Sequence, residues 1–161
     1  MHKTIPNTFI FLDRYNNKIF ENNNTNIGIV YRNYKAVSRI REAIEIAKAC
    51  KKNNYKFFVS NDVKLALKLN ANGIYIPSFN KKKNFNNLPK KNILILGSAH
   101  NQKEIQQKID QKCEVIFVSP LFYNKKSKKY LGINRFNYLT QKRKIKFIAL
   151  GGINEKNIKK L

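Results

Sequence analysis

Cysteine is scarce and tryptophan is absent. The two cysteines in 161 residues, Cys50 and Cys113, lie far apart and form no C-x-x-C, so neither a disulfide framework nor a zinc site is implied. Both sit at helical or strand-edge places that suit small core residues. Long apolar runs are missing too. None approaches the roughly 18 residues needed to span a membrane, and Met1 to Asn7 has no signal-peptide-like apolar segment. The expectation is a soluble, reduced, cytoplasmic protein with no membrane partner.

Carboxylates are the other shortage. Nine Asp+Glu stand against 33 Lys+Arg, a net charge of +24. Such an excess ordinarily suggests nucleic acid or an anionic surface. Here the lysines are spread over the whole chain and asparagine is almost as plentiful. That pairing is a drift in composition rather than a built patch. Most lysines are expected in solvent, and nucleic-acid binding is not expected as the main role.

What the chain does have is short apolar runs. Seven occur: Phe9–Leu12, Ile27–Tyr31, Phe57–Val59, Gly73–Ile76, Ile93–Leu96, Val115–Val118 and Phe147–Leu150. Each is nearly continuous in apolar character, as parallel strands covered on both faces are. Helical segments alternate with them. Val37, Ile40, Ala43, Ile44, Ala47 and Cys50 keep helical spacing and predict a helix over 37–52. Shorter helices are expected over 63–69 and 135–141. Asn101 and Glu104 are placed as a capping box for another, and the segment 78–91 reads as an irregular loop. One α/β domain over 1–161 is expected. No GxGxxG follows the first run, which argues against a dinucleotide-binding Rossmann fold. An open doubly wound sheet and a (β/α) barrel one unit short of eight both remain.

In either fold a ligand binds at the carboxyl ends of the strands. Those ends carry Arg32, Ser60-Asn61-Asp62, Ser78, Ser98 and His100, Ser119, a lysine loop over 124–129, and Gly151-Gly152. The opposite ends carry mostly Asn and Lys. Arg32 suits bidentate phosphate binding, or is a surface arginine. His100 suits acid–base work near neutral pH, or supports the helix after strand five. Asp62 is either a metal ligand or a helix N-terminal carboxylate. Ser119-Pro120 is a site element or a plain loop start. Of Lys125, Lys126, Lys128 and Lys129, one reaches a phosphate or the run is solvated. Gly151-Gly152, between a strand predicted as fully buried and a helix capped by Asn154, is a strand-to-helix anion site or a plain glycine turn.

An ordered set of motifs sharpens these alternatives. Val30-Tyr31-Arg32, Ser60-Asn61-Asp62-Val63-Lys64-Leu65-Ala66, Ala71-Asn72-Gly73-Ile74-Tyr75-Ile76-Pro77, Gly97-Ser98-Ala99-His100-Asn101, Ser119-Pro120-Leu121-Phe122, Leu131-Gly132 and Ala149-Leu150-Gly151-Gly152-Ile153 occur in the order and spacing of the thiamine phosphate synthase/TenI family. The chain resembles that family over about residues 27–158, and within it a divergent, alphaproteobacterial-type branch. The resemblance implies a TIM-type (β/α) barrel. It implies a site for a thiazole phosphate and an aminopyrimidine pyrophosphate. Arg32 matches the family's pyrophosphate-binding arginine, and Gly151 and Gly152 match the glycines near the thiazole phosphate. Ser98 and His100 match the Ser-x-His after strand five, whose histidine transfers protons in TenI-type tautomerases. Ser119 and Lys128 complete the phosphate-binding assignments.

Departures from the family pattern are equally legible. Val30 and Tyr34 stand where the synthase pattern has glutamine and lysine. Asn61 and Asn80 stand at the magnesium aspartates, so a Mg2+ site is reduced to Asn61 with Asp62. Asn124-Lys125-Lys126-Ser127-Lys128 replaces the usual Thr-x-Thr-Lys. The family pattern continues past Leu161 into an eighth strand, so the eighth βα unit is expected to be missing, or supplied by another chain in an oligomer. Three functions are expected in turn: a thiamine phosphate synthase, a TenI-like thiazole tautomerase using His100, and a non-catalytic binder of a phosphorylated metabolite or nucleic acid.

Overall fold

The computed structural model describes residues 4–21, 26–83, 85, 88, 93–125, 127, 129–141 and 143–160. Every predicted apolar run meets a strand, with Ile93 and Leu150 falling just outside theirs. The strands are β1 (Thr8–Leu12), β2 (Ile27–Tyr31), β3 (Lys56–Ser60), β4 (Gly73–Ile76), β5 (Leu94–Ala99), β6 (Val115–Val118) and β7 (Lys146–Ala149). The helices are α1 (Arg39–Lys52), α2 (Val63–Lys68), α3 (Gln102–Asp110) and α4 (Gly132–Thr140), with 3-10 turns at Asn17–Glu21 and Ile158–Lys160. In the sheet the strands follow one another in chain order, β1 to β7. A doubly wound sheet reverses its order at a switch point. This one does not, so the fold is of the TIM (β/α) type.

The residues group into two compact units, Met1–Tyr75 with Leu88–Leu94 and Ile76–Asn87 with Ile95–Leu161. In the first, β1 pairs in parallel with β2 from Thr8↔Ile27 to Leu12↔Tyr31, and β2 with β3. Alternation then places Ile29, Tyr31, Phe57 and Val59 in one core with α1 and α2. Helix α1 buries Ala43, Ile46 and Cys50. Of these, the fully buried Ile46 contributes about 2 kcal/mol. The buried face is rotated from the predicted stripe: Ile46 is on it, whereas Ile40 is half-exposed and Val37 lies outside the helix in solvent. Tyr31 is fully buried but donates its hydroxyl to Glu42 Oε2 at 3.0 Å, which removes the penalty of an orphaned polar atom.

In the second unit β6 pairs in parallel with β5 and β7. The expected capping box starts α3: Asn101 Oδ1 accepts from the Glu104 N–H at 3.0 Å, while Glu104 Oε2 accepts from the His100 N–H at 2.8 Å. Two expectations fail here. Strand β5 does not stop at Leu96 but continues through Gly97, Ser98 and Ala99. Strand β7 is half-exposed rather than fully buried.

Both cysteines are buried, and burial pushes each thiol pKa from 9.0 up to about 12. A rise of that size lowers the thiolate fraction at pH 8 about a thousandfold. A colorimetric disulfide reagent is therefore expected to titrate no thiol in the native protein at pH 8 and two in denaturant. Rapid native labelling of either would contradict the packing around Ala43, Ile46 and Cys50 or around Cys113.

Candidate active site

At the carboxyl ends of β2 and β3 the chain gathers two arginines. Arg32 follows β2 directly, and its N–H is held by the Leu12 carbonyl at 2.8 Å. Its guanidinium lies over the Phe11 ring, 5.4 Å from the centroid, and 3.8 Å from Asp13 Oδ1. The side chain is 39% exposed, so it is oriented without being used up. Arg39, at the start of α1, donates to the Ser60 carbonyl at 2.6 Å and lies over the Tyr34 ring. Its Nε is buried with no acceptor among the described residues. Tyr34 Oη and Ser60 Oγ are 2.7 Å apart. Burial raises the Tyr34 pKa against the opposing pull of the Ser60 contact and both arginines, so the group is a neutral phenol at neutral pH.

The described contacts of Asn61 and Asp62 are those of a turn and a helix cap. Asn61 adopts φ 58° and donates its N–H to the Tyr75 carbonyl at 2.9 Å. Asp62 Oδ1 accepts the Leu65 N–H at 2.9 Å as the N-cap of α2. That is the second of the two roles open to it from the sequence. Among the described residues no three His, Cys, Asp or Glu side chains gather as ligands of one ion. A hard cation seeks several anionic oxygens, so this donor set does not fit a magnesium ion held by the protein.

In the second unit His100 is held from both sides. Its Nδ1 lies 2.7 Å from the Ser119 carbonyl, with Ser119 Oγ at 3.3 Å. A carbonyl only accepts, so Nδ1 carries the proton. Nε2 is then the acceptor, 3.2 Å from Ser78 Oγ, whose hydroxyl donates to it. The ring is exposed, and a fixed tautomer with a basic Nε2 beside a hydroxyl is what proton transfer requires. Ser98 does not join it. As part of β5 it is buried, not at a strand terminus.

Gly151 and Gly152 follow β7 with φ of 91° and 73°. A Cβ on Gly152 would come within 2.3 Å of the Phe122 carbonyl oxygen, so only glycine fits. Their carbonyls are used, Gly151 by the Phe122 N–H and Gly152 by Asn157 Nδ2. Among the described residues their own N–H groups meet no acceptor. Among the described residues the predicted capped helix does not form: Asn154 Oδ1 accepts from the Lys156 and Asn157 N–H groups, and the 3-10 turn Ile158–Lys160 follows. Any anion affinity here comes from two glycine N–H groups and not from a helix dipole. In the lysine loop, Lys125 and Lys129 are exposed, while Lys126 and Lys128 lie outside the described residues.

Sequence reasoning does not single out Asp13, Tyr34, Arg39 or the Ser119 carbonyl as working parts. Each is placed by a contact between distant segments, for which no local pattern exists.

Comparison with known proteins fits this arrangement. A family model described as thiamine monophosphate synthase matches residues 23–161. A thiamine-phosphate synthase of Prochlorococcus marinus subsp. pastoris is 36% identical over 125 residues, covering 76% of this chain and 36% of that protein. Thiamine-phosphate synthase 1 of Streptococcus pneumoniae is 28% identical over 132 residues, covering 78% and 62%. The chain thus spans about a third of the length of the first of these relatives. In fold it is similar to a thiamine phosphate pyrophosphorylase from Pyrococcus furiosus, with a TM-score of 0.73 at 18% identity over 96% of this chain and 79% of that one. No described helix is long and apolar enough to cross a membrane. With the family model matched across 23–161, the chain belongs to the thiamine phosphate synthase/TenI family.

Proposed function

We propose that this chain catalyses, in the cytoplasm, the joining of an aminopyrimidine pyrophosphate to a thiazole phosphate. The carbon–oxygen bond at the pyrimidine methylene breaks, and pyrophosphate leaves with the electron pair. The thiazole nitrogen lone pair then forms the new carbon–nitrogen bond. The observation that carries this reading is the family match over 23–161, within which every candidate strand end lies. Arg32, oriented by Phe11 and Asp13 yet 39% exposed, suits the pyrophosphate. The N–H groups of Gly151 and Gly152, which meet no acceptor among the described residues, suit the thiazole phosphate. The poor donor set at Asn61 and Asp62 leaves no step to be assigned to a protein-held magnesium.

A second reading, thiazole tautomerisation, is favoured by one observation: His100 is held in a single tautomer between Ser119 and Ser78. Calorimetry with thiazole phosphate, with and without magnesium, separates the readings. Affinity that rises with pyrophosphate and magnesium supports the synthase. Binding of thiazole phosphate alone, indifferent to both, supports the tautomerase. Under the second reading, His100→Ala lowers proton exchange at the thiazole carbon by about a hundredfold or more while affinity stays within about twofold. Unchanged exchange would remove His100 from the chemistry. Steep salt-dependent binding to arbitrary DNA, with no affinity for either small molecule, would displace both readings.

A further inference from the structure

The segment Ser78–Lys83 has no buried side chain of its own: Ser78 and Asn80 are partly covered, and Phe79, Lys81, Lys82 and Lys83 are exposed. Besides a surface ion pair between Lys83 and Asp110 at 4.0 Å, its main chain is gripped from α3. Lys108, on α3, is fully buried and places its ammonium 2.8 Å from the Pro77 carbonyl, 2.9 Å from the Asn80 carbonyl and 2.8 Å from Gln111 Oε1. Three acceptors match the three N–H groups of an ammonium. Gln111, itself buried, turns its Nε2 to the Asn80 carbonyl at 2.9 Å and the Lys82 carbonyl at 2.7 Å. Two side chains thus take three loop carbonyls and also bind each other.

Room for the lysine stem is built into the strand beneath it. A Cβ on Gly97 would lie 2.9 Å from Lys108 Cδ. Burying an ammonium is unfavourable against an apolar side chain of similar size, even when every N–H is satisfied. Stability alone therefore does not account for a lysine here, and the loop it grips carries Ser78, the hydroxyl that donates to His100.

We propose that Lys108 and Gln111 are positioning residues for His100: by clamping the carbonyls of Pro77, Asn80 and Lys82 they set Ser78 Oγ against the imidazole Nε2. The functional weight of the clamp rests on the reading of His100 as the proton-carrying residue. The physical effect does not, since it is a hydrogen bond that exists without substrate. Lys108 acts on the ring only through the loop and Ser78.

The test is the ring-nitrogen spectrum of the whole chain labelled with 15N-histidine, which holds only His2 and His100. Ser78→Ala is expected to move the His100 Nε2 resonance and leave Nδ1 in place, because the Ser119 carbonyl still holds it. Lys108→Met and Gln111→Leu are expected to move Nε2 to the same new position in proteins that still unfold cooperatively. If Lys108→Met fails to fold, the Gln111→Leu spectrum decides. Ile46→Val, a core change in the other unit that lowers the melting temperature, is expected to leave Nε2 unmoved. The clamp is overturned if Nε2 keeps its wild-type position in the folded clamp variants or in Ser78→Ala, or if Ile46→Val moves it equally. Loss of both enzymatic readings in separate assays, with these shifts intact, would sink the role of His100 and not the clamp.

Discussion

Gly152→Ala is expected to cost about 3 kcal/mol of stability and to remove most of the affinity for thiazole phosphate. Two effects add. A non-glycine residue at a φ of 73° carries roughly 1 kcal/mol or more of strain. The new methyl would also lie 2.3 Å from the Phe122 oxygen and 2.6 Å from its carbonyl carbon. Those are main-chain atoms, so no rotamer change relieves the overlap, and overpacking of this kind costs about 2 kcal/mol. Melting temperature should fall by about 6–12 °C, on a scale of about 2–4 °C per kcal/mol for a chain this size. Gly151→Ala makes the contrast. Its nearest atoms, Pro120 Cα and Cβ, are 3.1 Å away, so a small shift accommodates the methyl and chiefly the strain at φ 91° remains. Thermal unfolding with phosphate titration checks both variants. Equal losses for the two would mean that the Phe122 contact does not set the turn.

Arg32→Ala should do the opposite: large loss of turnover, little loss of stability. Its contacts with Asp13 at 3.8 Å and the Phe11 ring are partly exposed, and such surface pairs contribute at most about 1 kcal/mol. Two charge-assisted bonds to a departing pyrophosphate are worth about 3 kcal/mol together, so kcat/KM should fall by about a hundredfold. Arg32→Lys restores charge but not the planar fork, and should recover only about a tenfold part of the loss. Steady-state kinetics beside denaturant unfolding separates the two quantities. A variant that loses stability in proportion to activity would assign Arg32 to the scaffold.

The strands are legible in the sequence because each of the seven contains a short apolar run, the pattern of parallel strands covered on both faces, although β7 is half-exposed. The barrel-type winding is not, since the run pattern is the same in a doubly wound sheet, and only the unreversed strand order decides. Two misread elements have different causes, one tertiary and one local. Gly97-Ser98 looks like a turn but continues β5, with Gly97 left bare for the Lys108 stem. Asn154 looks like the cap of a helix, but with Asn157 it satisfies nearby N–H groups locally, and a short 3-10 turn follows.

The site divides the same way. Arg32 and His100 are visible because each directly follows a strand and is chemically distinctive. Asp62 is visible as one of two things, and its bond to the Leu65 N–H selects the cap. Lys108 has no signal at all. In a chain so rich in lysine it looks like any solvated residue until three acceptors are seen around its ammonium.

The joining reaction is tested most directly by incubating the purified chain with aminopyrimidine pyrophosphate and thiazole phosphate, and measuring thiamine phosphate against released pyrophosphate. Equal amounts of the two products are expected, formed catalytically by the wild-type chain and reduced about a hundredfold by Arg32→Ala. A cooperatively folded protein that forms no thiamine phosphate from both substrates would contradict the proposed reaction.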